Sequence, residues 1–155
     1  MEFFRDTMER IAEAVRVANL PEWLLRELSA PKDVKEMKIR VLTKRGREDF
    51  SGVRVWQTNR NSTGDLPYKG GLRYMAYATD GEMIRAGRAL AVDMTLKNAL
   101  YNLPFGGAKG ILNINPADRS SDELEAITKE LTLELIFNNA LGPNIDVHGP
   151  DYGTN

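Results

Sequence analysis

Three lysines and one aspartate of this 155-residue chain stand in settings that invite chemistry. Lys69 precedes a glycine pair in Pro67-Tyr68-Lys69-Gly70-Gly71, and Lys109 follows one in Pro104-Phe105-Gly106-Gly107-Ala108-Lys109-Gly110. Lys97 continues the stripe Met83, Gly87, Leu90, Met94 at spacings of four, three, four and three, so its ammonium is aimed where a core residue would normally lie. Asp151 sits in Gly149-Pro150-Asp151-Tyr152-Gly153-Thr154-Asn155 and supplies the opposite charge. If the lysines converge, they form a cationic pocket for a small carboxylate. Each also disfavours protonation of the others, which pulls one of them below the usual lysine pKa of about 10.4 and makes it a usable base.

Each residue also has an ordinary reading. Lys97 can snorkel, burying its stem and sending its head to water near a helix end where positive charge suits the helix dipole. Glycines beside Lys69 and Lys109 commonly mark a surface turn, and Asp151 can be a turn or cap aspartate. A phosphate cradle is a further reading of the Gly/Lys segments, but the spacing fails. A P-loop needs GxxxxGK followed by Ser or Thr, whereas Lys109 follows Ala108 and precedes Gly110, and the chain holds no GxGxxG.

Totals narrow the field. The length suits one domain spanning residues 1–155, which buries roughly 68–70% of its unfolded surface. Lys+Arg 21 against Asp+Glu 22 leaves a formal net charge of -1, which argues against a general nucleic-acid binder. With no cysteine, there is no disulfide framework, thiolate metal site or Cys nucleophile, in keeping with a cytoplasmic protein. Glu2, Asp6, Glu9 and Glu13 interrupt the first twenty residues, so they read as mature protein and not as a targeting peptide. No run approaches 18 apolar residues, and the expectation is a soluble protein.

The elements that must hold these residues follow from periodicity. Phe4, Met8, Ile11, Val15 and Ala18 make an amphipathic helix. After Asn19-Leu20-Pro21, with Pro21 in the first turn, a short second helix carries Trp23, Leu24 and Leu28 as far as Pro31. Alternation of Met37, Ile39 and Val41, then Val53, Val55 and Trp56, predicts a hairpin joined by the charged stretch Lys44–Asp49. Asn59–Pro67 reads as a loop and Leu72–Ala76 as a strand. Thr79 or Asp80 caps a helix to about Tyr101, whose Ala and Gly content suggests close packing, and Ile111–Asn115 is a short strand. Ser120 and Glu123 form a capping-box pattern for a helix with Leu124, Ile127, Leu131 and Leu135 on one stripe, ending at Gly142-Pro143. Asn144–Val147 is a last strand that leaves Pro150–Asn155 exposed at its end. The order favours an α/β sheet with helices on both faces.

Pro67–Tyr74, Met94–Tyr101, Pro104–Gly110 and Pro150–Asn155, in this order and spacing, resemble the amino-terminal domain of the glutamate dehydrogenases, within the Glu/Leu/Phe/Val dehydrogenase family. The resemblance extends from roughly Val34 onward. It implies a three-layer α/β/α domain with a mixed sheet, here preceded by the N-terminal helix pair. It also implies a role for each residue: Lys69 on the substrate side-chain carboxylate, Lys97 on the α-carboxylate, the backbone of Gly70 against the substrate, Lys109 as catalytic lysine, and Asp151 as proton relay. The implied reaction is oxidative deamination of L-glutamate to 2-oxoglutarate and ammonia, and its reverse, with NAD or NADP as cofactor. Relatives acting on leucine, phenylalanine or valine usually carry an apolar residue before the paired glycines, so Lys69 favours an acidic substrate.

The departures from the family pattern are Met75 in place of the usual His, Leu96 in place of Trp, and His148-Gly149 in place of an apolar or small pair. A lone histidine such as His148 is more often structural than catalytic. In the family a dinucleotide-binding (Rossmann) domain follows. No segment of residues 1–155 replaces it, so this polypeptide alone is expected to show no turnover. The resemblance further implies a homo-oligomer, a hexamer for the intact enzyme. A stand-alone assembly or regulatory module that pairs with full-length subunits is the alternative.

Overall fold

The computed structural model describes residues 2–58, 60–61 and 64–154. Helices α1 (Glu2–Val17) and α2 (Glu22–Ser29) form the opening pair. Pro21 precedes the first turn of α2 instead of entering it: its ψ of 136° is extended, which makes it the N-cap. Ile11, Val15 and Leu28 pack on Val92 of α3 (Asp80–Leu100), so the pair docks on that helix.

Strands β1 (Asp33–Thr43) and β2 (Gly46–Trp56) pair antiparallel from Asp33↔Trp56 to Thr43↔Gly46. Their turn is only Lys44-Arg45, and the rest of the charged stretch expected as a connection belongs to β2. Its charges are cross-strand partners, as when Arg40 Nε donates to Asp49 Oδ1 at 2.6 Å. Within the expected loop Asn59–Pro67, β3 (Arg60–Asn61) pairs with β4 (Gly64–Asp65), while Asn59, Ser62 and Thr63 lie outside the described residues.

The remaining strands are β5 (Tyr68–Tyr74), β6 (Gly106–Leu112) and β7 (Asp146–Pro150). Both β5 and β6 begin earlier than Leu72 and Ile111, the expected starts, because their glycines are strand residues. Every residue of β6 is buried. A strand pressed by helices on both faces has room only for small side chains at the tightest points, and these imitate a turn in the sequence. The last strand likewise falls two residues after the expected start at Asn144.

Helix α4 (Ser121–Phe137) begins with the capping box, Ser120 and Glu123 each bonding the other's backbone N–H. It ends five residues before Gly142, at a C-cap Asn138 followed by Asn139 with φ 54°. Asparagine enters this left-handed region more readily than other side chains, so it ends the helix as a glycine would.

The five-stranded sheet has the order β1-β2-β6-β5-β7, with β5 parallel to both neighbours and the β1, β2 and β6 pairings antiparallel. From β5 the chain crosses to β6 through α3, and from β6 back past β5 to β7 through α4. These crossovers run in opposite directions along the sheet, and crossovers of one hand must then place their helices on opposite faces. On one face Met83 and Ala91 of α3 bury Val53, Val55 and Ile111. On the other, Ile127, Leu131 and Leu135 of α4 bury Met37, Ile39, Val41 and Leu112. Each such fully buried aliphatic side chain contributes about 1.5–3 kcal/mol. The result is the expected three-layer α/β/α domain with a mixed sheet.

The Ala/Gly content of α3 does correspond to close packing. A Cβ on Gly107 of β6 would stand 2.1 Å from Thr95 Oγ1 and 2.5 Å from Ala91 O, so the helix backbone rests directly on that glycine. Among the described residues no helix is long and apolar enough to cross a membrane.

Candidate active site

Strand alternation sorts the motif residues by face. Tyr68, Leu72 and Tyr74 of β5 join the core under α4, and so do Ala108 and Leu112 of β6. Lys69, Gly71 and Arg73, with Lys109 one strand away, therefore face the α3 side. Because α3 packs over β2 and β6, the same face of β5 and β7 is left uncovered. That uncovered area is the floor of a cleft of about 350 Å³. Leu90, Asp93, Met94 and Lys97 of α3 form its wall.

Lys69, Gly70, Lys97, Lys109 and Asp151 all line this single cleft. The stripe on α3 divides along its length: Met83 and Gly87 are buried in the core, whereas Leu90, Met94 and Lys97 turn onto the cleft. Lys97 is exposed, with its charge at the cleft mouth and not in the core. The Lys69 ammonium lies 5.9 Å from the centroid of the Phe105 ring.

Lys109 is 5% exposed and its ammonium makes an ion pair with Oδ2 of Asp151. Arg73 joins the same carboxylate, its Nε donating to Oδ2 at 3.0 Å and its Nη2 to Oδ1 at 3.5 Å. Burial pushes the Lys109 pKa down and the nearby Arg73 and Lys97 charges push the same way, while Asp151 opposes them; the net shift is downward. Burial alone would raise the Asp151 pKa, but the hydrogen bonds from Lys109 and Arg73 more than offset this and hold it at about 2. One buried lysine with a lowered pKa and one carboxylate that is ionised at neutral pH thus sit in contact, beside two more lysines able to hold anions.

The backbone carrying Asp151 is fixed by Thr154. Its hydroxyl accepts from Asp151 N at 2.9 Å and donates to Leu72 O at 2.9 Å, while Tyr74 N donates to Tyr152 O at 3.0 Å. The segment after β7 is thereby laced to β5. Past Pro150 it is exposed only at Tyr152, contrary to the expectation for Pro150–Asn155 as a whole; Asn155 itself lies outside the described residues. Arg73 and Thr154 were not singled out in the sequence. Arg73 occupies the same strand face as Lys69, four residues on, so the period of two could have found it.

A second, fully buried ion pair holds the floor together from beneath. Arg54 of β2 reaches across the sheet to Asp146 of β7, Nε donating to Oδ2 at 2.7 Å and Nη2 to Oδ1, with Trp56 Nε1 donating to Oδ2 at 2.6 Å. Both charged side chains are 0% exposed. Arg54 Nη1 also lies 3.4 Å from Gly70 O and 3.3 Å from Gly71 O, so it ties down the paired glycines. His148 shares this face: its Nε2 donates to Ala140 O at 2.9 Å, away from the cleft, in a structural role as expected. Met75 borders a neighbouring pocket and Leu96 is exposed, so neither lines the cleft.

Comparison with known proteins gives the family and the fold. The sequence model of the family described as Glu/Leu/Phe/Val dehydrogenase, dimerisation domain, matches residues 31–155. An NAD-specific glutamate dehydrogenase A of Halobacterium salinarum is 35% identical over 146 residues, 94% of this chain and 31% of that protein. An NADP(+)-dependent glutamate dehydrogenase of Pyrobaculum calidifontis is 34% identical over 154 residues, 99% of this chain and 34% of that protein. Among solved structures, glutamate dehydrogenase from Peptoniphilus asaccharolyticus superposes with a TM-score of 0.85 at 28% identity, covering 100% of this chain and 37% of that one. The hetero-hexameric glutamate dehydrogenase from Thermus thermophilus, in its Leu-bound form, gives 0.79 at 34% identity, covering 98% and 34%. The chain spans about a third of the length of these relatives. On the match over 31–155 and the shared fold, it belongs to the Glu/Leu/Phe/Val dehydrogenase family, as the amino-terminal domain.

Proposed function

We propose that this domain binds L-glutamate and 2-oxoglutarate and performs the proton transfers of an NAD(P)-dependent glutamate dehydrogenase. The observation that carries the reading is the contact between Lys109 and Asp151 within a cleft that also holds Lys69 and Lys97. Two exposed or half-buried lysines suit the two carboxylates of a dicarboxylic acid: Lys97 for the α-carboxylate and Lys69 for the side chain. The backbone of Gly70 lies against the substrate between them.

Lys109 acts as the base. The downward shift of its pKa enlarges its uncharged fraction, which takes a proton from water as the water oxygen bonds to the Cα of the oxidised, iminium form of the substrate. Asp151, a carboxylate at rest, then takes the proton of the new hydroxyl group and hands it to the substrate nitrogen, which leaves as ammonia as the carbonyl forms. The Lys109 ammonium meanwhile stabilises negative charge developing on oxygen.

The oxidant in this reading is a nicotinamide dinucleotide, which accepts hydride from Cα. The residues of this domain do not fit it: the strand-to-helix connection Met75–Thr79 before α3 carries no glycine-rich turn, and no GxGxxG occurs in the chain. The proposal therefore assigns the domain binding, orientation and proton movement only, and gives residues 1–155 alone no turnover. The family's description as a dimerisation domain supports an oligomer, and a homo-hexamer is the form we propose for the intact enzyme. A cytoplasmic location goes with the same reading.

The test is glutamate-dependent reduction of NAD or NADP by the full-length protein, wild type and Lys109→Met. The variant is expected to lose on the order of 10²–10⁴ in kcat while still binding 2-oxoglutarate. Turnover in the variant equal to that of the wild type overturns the proposal.

A further inference from the structure

The Asp151 carboxylate has two cationic partners, Lys109 and Arg73, held on different strands. We propose that Arg73 is a positioning residue for the reaction: it grips Asp151 from β5 so that the carboxylate keeps its place when Lys109 turns from it toward water and substrate. The inference rests on the function proposed above.

The geometry separates the two cations. Lys109 and Arg73 Nε share the single oxygen Oδ2, while Arg73 Nη2 alone reaches toward Oδ1. A base that must leave Oδ2 to take a proton from water would, without Arg73, free a half-buried aspartate to rotate. Arg73 is suited to the holding role because a planar guanidinium fixes a carboxylate through two donors and does not release a proton in a protein. It anchors the relay without entering the proton path. The backbone adds a second restraint, since Thr154 binds both Asp151 N and Leu72 O, one residue from Arg73. Thr154 fixes where Asp151 starts, and Arg73 fixes where its carboxylate points.

The charged and titratable groups around the Lys109–Asp151 pair are Lys69 and Arg73 from β5, Tyr77 just after it, and Asp93 and Lys97 from α3. Asp146 and His148 of β7 turn to the α4 side, where they meet Trp56 and Ala140. Removing Arg73 takes away a positive neighbour of both members of the pair. Its loss makes Asp151 easier to protonate and Lys109 harder to deprotonate, so both titrations move to higher pH.

The experiment compares wild type, Arg73→Gln and Arg73→Lys. In the full-length enzyme, R73Q is expected to lower kcat about tenfold or more and to move the ascending limb of the pH profile upward by about half a unit or more. R73K is expected to keep the limb near its wild-type position, since the charge remains, but to recover kcat only in part, since the two-donor grip is lost. An R73Q profile that superimposes on the wild type, or an R73K kcat equal to it, overturns the proposal. Should R73Q not fold, the R73K comparison decides alone. A readout independent of substrate is the carboxyl 13C titration of Asp151 by NMR, whose midpoint is expected to rise in R73Q; an unmoved midpoint refutes the coupling. A moved midpoint in a protein that does not oxidise glutamate would sink the proposed function and leave the Arg73–Asp151 coupling standing.

Discussion

Lys109 and Asp151 touch although the strands that present them are not neighbours: Lys109 lies within β6, Asp151 follows β7, and β5 runs between. The ion pair passes over Gly71. A Cβ there would stand 2.8 Å from Asp151 Cβ and 3.4 Å from Lys109 Nζ. The second glycine of the Lys69-Gly70-Gly71 motif is thus the gap through which the Lys109 ammonium and the Asp151 carboxylate meet.

Gly71→Ala is the direct probe of that gap. The added methyl leaves no room for Asp151 where it stands, and overpacking of this kind costs about 1–3 kcal/mol. Denaturation should register a loss in that range. Turnover should fall further, by about a hundredfold, because the pair and not the fold bears most of the displacement. An alanine variant with wild-type kcat would mean that the contact is dispensable.

Helices were the most legible part of the sequence, and the glycine-rich strands the least. α3 and α4 have long apolar stripes and side-chain caps at Thr79 and Ser120, all of them local signals. β5 and β6 are legible only as tertiary objects, since Gly70, Gly71 and Gly107 are small for the sake of what lies across from them. The site divides the same way. Lys69, Lys97, Lys109 and Asp151 stood out as motif residues, but their convergence depends on Arg54 and Asp146, which are 92 positions apart and betray nothing locally. An arginine set within Val53-Arg54-Val55-Trp56 is the one available hint, a charge where both strand neighbours are buried.

Asp146 should make the fold acid-sensitive. Burial would raise its pKa, but hydrogen bonds from His148 and Arg54 hold it at about 2, below the ordinary carboxylate value of about 3.9. A depressed folded-state pKa gives stability that is complete above the unfolded value and is lost as pH falls from about 4 through about 2. Asp146→Asn should flatten stability over that window. Near pH 7 it should cost about 3–5 kcal/mol by leaving Arg54 buried and unpaired. Urea unfolding at several pH values measures both effects, and an unchanged acid slope in the variant contradicts the assignment.

Gly107→Ala tests whether the closeness of α3 matters to the site as well as to stability. The methyl would overlap Thr95 and Ala91 O, so the helix must lift from β6. Lys97 lies on the same helix two residues past Thr95 and would be carried away from the cleft. The expected signature is a lowered melting temperature with a raised KM for glutamate. If KM is unaltered while stability falls, α3 is a roof only and Lys97 holds no substrate carboxylate.

Lys69→Leu separates substrate choice from folding. The side chain is half-buried beside the Phe105 ring, and leucine can occupy most of its stem's space, so the melting temperature should change little. If the ammonium binds the side-chain carboxylate of glutamate, its loss removes a charge-assisted hydrogen bond of about 1.5–3 kcal/mol, or about ten- to a hundredfold in kcat/KM. That contact lies far from the reacting carbon and should stabilise ground state and transition state alike, so the loss should appear mainly in KM. An apolar amino acid, which gains a greasy neighbour in place of a half-buried lysine, should lose less than glutamate does. Wild-type affinity for glutamate in the Lys69→Leu variant would remove Lys69 from the substrate site and with it the argument for a dicarboxylic substrate.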